Sequence, residues 1–364
     1  MQRRGGISRY FVELIKAFQQ NADLGINPVL MNSNAINDYA ISNLKGLGVS
    51  DCSGVLQPWR ELVLSLINPT NENGWDVVHH TFYQKNFLRK YHSYVQAVTL
   101  YDMIPEITNA KGRFGNPHFA KERYLKNCDL VFSISNSATD DAKRIYNLPK
   151  LQTHLTYLAP SSSFSFDLKP KRFRQFKFVL FVGNRNGYKQ GALLIEAFSM
   201  LKEFSDLKLL FIGGGKFLPS ELELISNLNL NGRVIQEEAN DVELNELYIQ
   251  AELYVMPSLY EGFGLPALEA MAAKCPVLLS DTSSLPEVGG KAAHYFRAGE
   301  KEELAKEMRK IITSPDMRHS MALGGLVQAK NFSWEKCAEE TANGYRLALQ
   351  AKGKKGDYPS NACA

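Results

Sequence analysis

The chain has 364 residues, more than one hydrophobic core usually serves, so two domains are expected and a single small module is excluded. Hydrophobic residues make up 45%, charged residues 22% and aromatic residues 11%, the composition of a packed protein rather than a disordered or collagen-like one. Forty-two basic against 38 acidic residues leave +4, scattered except at the ends, so no nucleic-acid partner is expected. No apolar run approaches the ~20 residues of a membrane helix, and Met1–Gly6 lacks a signal peptide's apolar region, so a cytoplasmic chain is expected. The five cysteines at 52, 128, 275, 337 and 363 are far apart, with no C-x-x-C pair, and are expected reduced and metal-free.

Short Val-, Ile-, Leu- and Phe-rich runs alternate with amphipathic stretches along the chain, the pattern of an α/β fold with parallel sheets. A helix is predicted over Ser8–Gln19, where Ile7, Phe11, Leu14 and Phe18 share a face. Strands are predicted at Asn27–Asn32, Asp76–Phe82, Gln96–Asp102, Asp129–Ser135 and Thr153–Leu158, with a weaker one near Gly54–Gln57. Ser161-Ser-Ser, Pro170 and a basic run then break the rhythm. The expected division is a first domain 1–160, a linker 161–176, a second domain 177–332, a returning helix 333–351 and a frayed tail 352–364. The second domain restarts the alternation with strands Lys177–Val182, Lys208–Gly213, Arg233–Gln236, Leu253–Pro257, Pro276–Ser280 and Ala292–Phe296. Two doubly wound units facing a cleft are the expected architecture.

The most informative stretch runs from Tyr254 to Val277. A buried strand ends at Pro257, a loop carries Gly262 and Gly264, and Pro266 opens a helix. A helix start presents unpaired N–H groups and positive dipole, so this arrangement suits a diphosphate. Glu261 before the helix and Glu269 in its first turn are separated by seven residues, and both can accept sugar hydroxyls. Taken singly, each is as readily a solvated loop charge or a helix-start acid. After the strand Lys177–Val182 come Gly183, Arg185 and Lys189. An Arg fork and a Lys point charge can flank a departing diphosphate, although loop cations are commonly only solvated. Gly213-Gly-Gly permits close backbone approach, plausible for a nucleotide, but lacks G-x-G-x-x-G spacing and a strand-end acid, which disfavours a nicotinamide enzyme.

The Glu261–Glu269 stretch resembles the E-x7-E signature of family 4 retaining glycosyltransferases of the GT-B fold, the group 1 glycosyl transferases. Gly5-Gly-Ile-Ser-Arg-Tyr is similar to that family's N-terminal glycine loop, and Val182-Gly-Asn-Arg-Asn-Gly-Tyr-Lys to its diphosphate clamp. Ser283-Ser-Leu-Pro-Glu-Val and Phe332-Ser-Trp-Glu-Lys resemble its later landmarks. The resemblance implies that Glu269 holds ribose hydroxyls, Glu261 contacts the donor sugar, and the backbone of Gly262, Phe263, Gly264 and Leu265 cradles sugar and phosphate. It implies that Arg185 and Lys189 grip the diphosphate, and that the loop of Gly5 and Gly6, with Arg9, faces donor and acceptor. A helix-initiating turn is the plainer reading of those glycines.

Many members of that family carry His-Asp where this chain has Tyr101-Asp102, which leaves Asp102 to position the acceptor or take its proton, with His79 or His80 as partner. A strand-end acid that merely caps the next helix is equally compatible. The implied activity is transfer of a sugar from a nucleotide-diphosphate sugar to a hydroxyl of a glycan or lipid-linked glycan, with retention, in bacterial polysaccharide biosynthesis such as lipopolysaccharide or capsule. Neither cofactor nor metal is expected, and an inner-face peripheral membrane location is implied, with Lys352, Lys354 and Lys355 available for docking. The alternative is an inactive nucleotide-sugar-binding or scaffolding homologue. Met1-Gln-Arg-Arg before Gly5 cannot supply a buried strand of ~5–6 residues, so the first strand of the N-terminal domain is expected to be missing.

Overall fold

The computed structural model describes residues 6–28, 30–31, 49–50, 76–83, 94–108, 117–168, 170–171 and 173–353. The chain divides into two compact units, one formed by residues up to Leu158 with those from Trp334 onward, the other by Ala159–Ser333.

In the first unit the strands are β1 (Leu30–Met31), β2 (Val49–Ser50), β3 (Val77–His80), β4 (Val95–Leu100), β5 (Leu130–Ser133) and β6 (His154–Leu155). Among the described residues they form a β1-β2 pair and a separate parallel sheet in the order β3-β4-β5-β6. Every residue of β4 is buried, as its uninterrupted Val-Gln-Ala-Val-Thr-Leu run between two neighbours requires. The helix Gly6–Gln20 buries Phe11, Leu14 and Phe18 of the stripe read from the sequence, with Ile7 half-buried. Ser135 accepts from the Ala138 N–H (3.1 Å) and so caps the helix Asn136–Ile145. The last helix, Trp334–Ala351, buries Trp334, Cys337, Ala338, Thr341 and Tyr345 within this unit. Arg346 in that helix donates to the Leu24 carbonyl (2.8 Å). The weaker strand expected at 54–57 lies outside the described residues.

The second unit holds β7 (Phe178–Val182), β8 (Lys208–Ile212), β9 (Val234–Glu237), β10 (Leu253–Met256), β11 (Val277–Ser280) and β12 (His294–Phe296). All pair in parallel in the order β12-β11-β10-β7-β8-β9, so the chain builds outward from β7 in one direction and from β10 in the other. That reversal leaves a crevice at the carboxyl ends of β7 and β10. Val179 and Phe181 of β7, Leu209 and Phe211 of β8 and Val255 of β10 pack with Leu194 and Phe198 of the helix Gly191–Ser199 in one core. The stretch 161–176, expected as a linker, is part of this unit. Its backbone is held by Asn245, which exchanges two bonds of 3.0 Å with Ser165, and Arg174 forks onto Glu237. A Ser- and Pro-rich segment looks free in the sequence when, as here, its partners lie about 80 residues away.

Candidate active site

Three loops of the second unit leave the carboxyl ends of adjacent strands: 183–190 after β7, 213–218 after β8 and 257–264 after β10. The Leu259 N–H donates to the Tyr188 carbonyl (2.7 Å), which ties the first loop to the third. Gly264, at φ 102°, turns the chain into the helix Leu265–Ala272; a Cβ there would meet Leu285 Cδ2 at 2.7 Å, so glycine is required twice over.

At the reversal point Lys189 Nζ donates to both oxygens of Glu261, at 2.6 and 2.8 Å. The Lys189 side chain is 21% exposed and that of Glu261 8%. Ser258 Oγ donates to Glu261 Oε1 (2.6 Å), and Ser283 Oγ accepts from the Glu261 N–H (2.9 Å). The buried Ser284 hydroxyl shares its hydrogen between the Glu261 carbonyl (3.0 Å) and the Phe263 carbonyl (2.9 Å). Because trans peptides are planar, fixing those carbonyls turns the Gly262 and Gly264 N–H groups the opposite way. A lysine ammonium and a carboxylate thus meet beside a helix start, groups that suit a sugar diphosphate.

Two expected residues sit differently. Glu269 is in the second turn of Leu265–Ala272, not the first, and is only 3% exposed, with the Tyr248 hydroxyl 3.5 Å from Oε2. It is a buried acid rather than a surface one, because that helix buries every residue from Ala267 to Ala272. Arg185, expected to grip the diphosphate beside Lys189, is turned into the protein and is 4% exposed. Its Nε donates to Glu221 Oε1 (2.8 Å) and its terminal nitrogens to Glu221 Oε2 (3.2 Å), the Gly213 carbonyl (2.9 Å) and the Lys216 carbonyl (3.0 Å). Glu221 lies below the usual carboxylate range: burial opposes this, and the Arg185 fork with the Leu218 N–H outweighs it.

In the first unit, His79 is part-buried on β3. It bonds through Nδ1 to the Tyr345 hydroxyl (2.6 Å) and through Nε2 to Thr99 Oγ1 (2.8 Å), and stacks on Phe132. Burial, then the neighbouring His80, lowers its pKa to about 3, so it is neutral and its ring ties β3 to the last helix instead of facing a substrate. Asp102 Oδ1 accepts from the Ile104 N–H (2.9 Å), a cap on the short turn that follows β4. Tyr101, in place of the family's histidine, donates to the Thr81 carbonyl (2.8 Å). Next to Asp102 is a cluster that no sequence motif marks. Lys121 Nζ donates to the Asp102 carbonyl (2.7 Å) and to Glu106 Oε2 (2.8 Å), Tyr146 donates to Glu106 Oε1, and the Lys121 and Glu106 side chains are each 1% exposed. Gly6 opens the first helix with Arg9 half-buried one turn on, and Gly5 lies outside the described residues. Lys352, expected at a membrane, donates to Asp129 Oδ2 (2.8 Å) and to the Tyr94 carbonyl (2.6 Å); Lys354 and Lys355 lie outside the described residues. Among the described residues, no group of His, Cys, Asp and Glu is placed to hold a metal ion.

Residues 165–325 match the family model of the glycosyl transferases group 1, so the second unit is a domain of that family and the chain a glycosyltransferase. Over 94% of its length the chain is 25% identical to the O-antigen chain mannosyltransferase B of Escherichia coli, 96% of which is covered. A glycosyltransferase of Rickettsia africae superposes with a TM-score of 0.73 at 18% identity, covering 96% of each chain. The Anabaena protein Alr3699/HepE, solved with UDP and glucose, superposes at 0.72 and 15% identity, covering 94% of this chain and 96% of its own. The fold is that of the GT-B glycosyltransferases.

Proposed function

We propose that the protein transfers a sugar from a nucleotide-diphosphate sugar to a hydroxyl of a glycan or lipid-linked glycan, with retention of anomeric configuration, in bacterial cell-surface polysaccharide assembly. The observation that carries this reading is the meeting of Lys189 and Glu261 at the carboxyl ends of β7 and β10, where the strand order reverses. The Escherichia coli relative is named an O-antigen mannosyltransferase, which makes mannose the first sugar to test.

In the proposed step the bond from the sugar's anomeric carbon to the diphosphate oxygen breaks and one to the acceptor oxygen forms. Lys189 and the N–H groups at the start of Leu265–Ala272 meet the charge gathering on the leaving diphosphate. Glu261, fixed by Ser258, accepts the sugar hydroxyls, and Glu269 takes the ribose. The acceptor's proton passes to the leaving phosphate. No metal is assigned a role. A lipid-linked acceptor would hold the protein peripherally at the inner membrane face; among the described residues, no helix is long and apolar enough to cross a membrane.

The test is turnover with a panel of GDP- and UDP-sugars and a lipid-linked glycan acceptor, read as release of nucleoside diphosphate and as the anomeric configuration of the product. Release with retention supports the reading; binding without release on every acceptor, or an inverted product, defeats it.

A further inference from the structure

We propose that Arg185 and Glu221 are positioning residues: as a buried fork they hold the Gly213–Lys216 turn in the shape that receives the nucleotide, and neither touches the donor. The proposal rests on the donor reading above and assigns Arg185 a different task from the clamp that the resemblance implies.

The turn needs an outside support. Gly213, Gly214 and Gly215 have φ of 81°, 73° and 71°, a left-handed run with no side chain to anchor it and the largest backbone entropy to lose. The Arg185 guanidinium supplies the anchor by donating to the carbonyls at both ends, Gly213 and Lys216. A Cβ on Gly214 would lie 2.9 Å from an Arg185 terminal nitrogen and 2.9 Å from the Gly183 carbonyl, so the turn rests directly on the fork and on the end of β7. With the Gly213 carbonyl drawn onto Arg185, the N–H of the same peptide, that of Gly214, is aimed away from it.

The fork is itself fixed. Phe217 lies under the guanidinium, 4.9 Å from its centre. Glu221 also accepts from the Leu218 N–H (2.7 Å) and closes the start of the helix Pro219–Asn227. The Gly191 N–H donates to the Arg185 carbonyl (2.8 Å), and a Cβ on Gly191 would be 2.6 Å from Arg185 Cβ. Swinging the guanidinium out to a phosphate would strand a buried carboxylate and release the turn together. A lysine cannot replace it, since one ammonium does not span Glu221 and two carbonyls in a plane.

The experiment uses the full chain and the variants R185K, E221Q and K189A. Affinities are measured for UDP and GDP and for their nucleosides, uridine and guanosine, and hydrogen–deuterium exchange is followed across 211–218. R185K and E221Q are each expected to speed exchange in the turn and to weaken diphosphate and nucleoside by the same factor, about tenfold. K189A is expected to weaken the diphosphate, leave the nucleoside unchanged and leave the turn's exchange as in wild type. Selective loss of the diphosphate in R185K, with E221Q unchanged, makes Arg185 a phosphate ligand and overturns the proposal; so does wild-type exchange of the turn in both variants. Should R185K fail to fold, E221Q decides alone: faster exchange with equal weakening supports the fork, and wild-type exchange overturns it. Should neither diphosphate bind the wild type, the donor reading falls, and exchange of the turn alone supports or overturns the fork.

Discussion

The two units treat the charges at their strand ends in opposite ways. After β4, Lys121, Glu106 and Tyr146 close on one another beneath the surface, and His79 at the end of β3 is neutral between Tyr345 and Thr99. After β7 and β10, Lys189 and Glu261 meet with the lysine a fifth exposed, and the other anchors are serine hydroxyls and backbone. The contrast shows that residue type at a strand's carboxyl end does not decide its role. What decides is whether a neighbouring helix brings a partner long enough to bury the charge, as Lys121–Asn127 does in the first unit. Arg185 and Lys189 repeat the lesson four residues apart, since Glu221 reaches the first and draws it inside.

If the first cluster is structural, Lys121→Met should remove about 3–5 kcal/mol of stability by leaving Glu106 buried without its cation, measured by denaturant unfolding. Retention of full stability with loss of transfer would reverse the contrast. Lys189→Ala should cost less stability than Lys121→Met, because Glu261 keeps the Ser258 hydroxyl as donor and Lys189 is the more exposed of the two lysines, and should slow transfer about 100-fold, read from single-turnover kinetics. Glu269→Ala should weaken donor binding about tenfold, as one hydrogen-bonded acceptor lost in the interior, with the cost seen by calorimetry for nucleotide as much as for nucleotide-sugar.

Acid should separate the units further. His79 and His80 have folded pKa values lowered by burial to about 3 and about 4 from an ordinary 6.5. The unfolded chain therefore binds their protons first, so their contribution is complete above pH 6.5 and drains away as pH falls toward those values. Glu221 in the second unit, also lowered, begins to lose its contribution only below its ordinary 4.5. Trp334 is buried in the last helix of the first unit, so its fluorescence reports that unit. Its melting temperature should fall between pH 6.5 and 4.5, whereas exchange in β7 and β8 should hold. The smallest effect is none at all: EDTA should leave turnover unchanged.

Strands β3 to β12 lie within two or three residues of where the alternation of apolar runs puts them, because buried parallel strands are predominantly apolar. Gly264 is legible in the sequence because the left-handed turn into a helix demands glycine, whereas Glu261 and Lys189, 72 residues apart, stand out only through the motifs that carry the family resemblance. The Lys121–Glu106 network and the Arg185–Glu221 fork are not, since their members are 15 and 36 residues apart and nothing in the spacing marks them as partners. Glu221 does carry one local sign, a glutamate two residues after Pro219 at a helix start, which reads as a cap and hides its second partner. His79 reads as a cleft residue because the tyrosine that bonds it inside the unit comes 266 residues later.

Tyr345 belongs to a helix that the ribosome delivers only after the whole second unit, Ala159–Ser333, has been made. At about 5–20 residues per second, those intervening residues take roughly 10–35 s to appear. The second unit has every strand of its sheet by then and can close its own core, while β3 and β5 still lack the face that Trp334–Ala351 supplies. Synthesis order and assembly order therefore run opposite to each other, and the half of the protein that starts first finishes last.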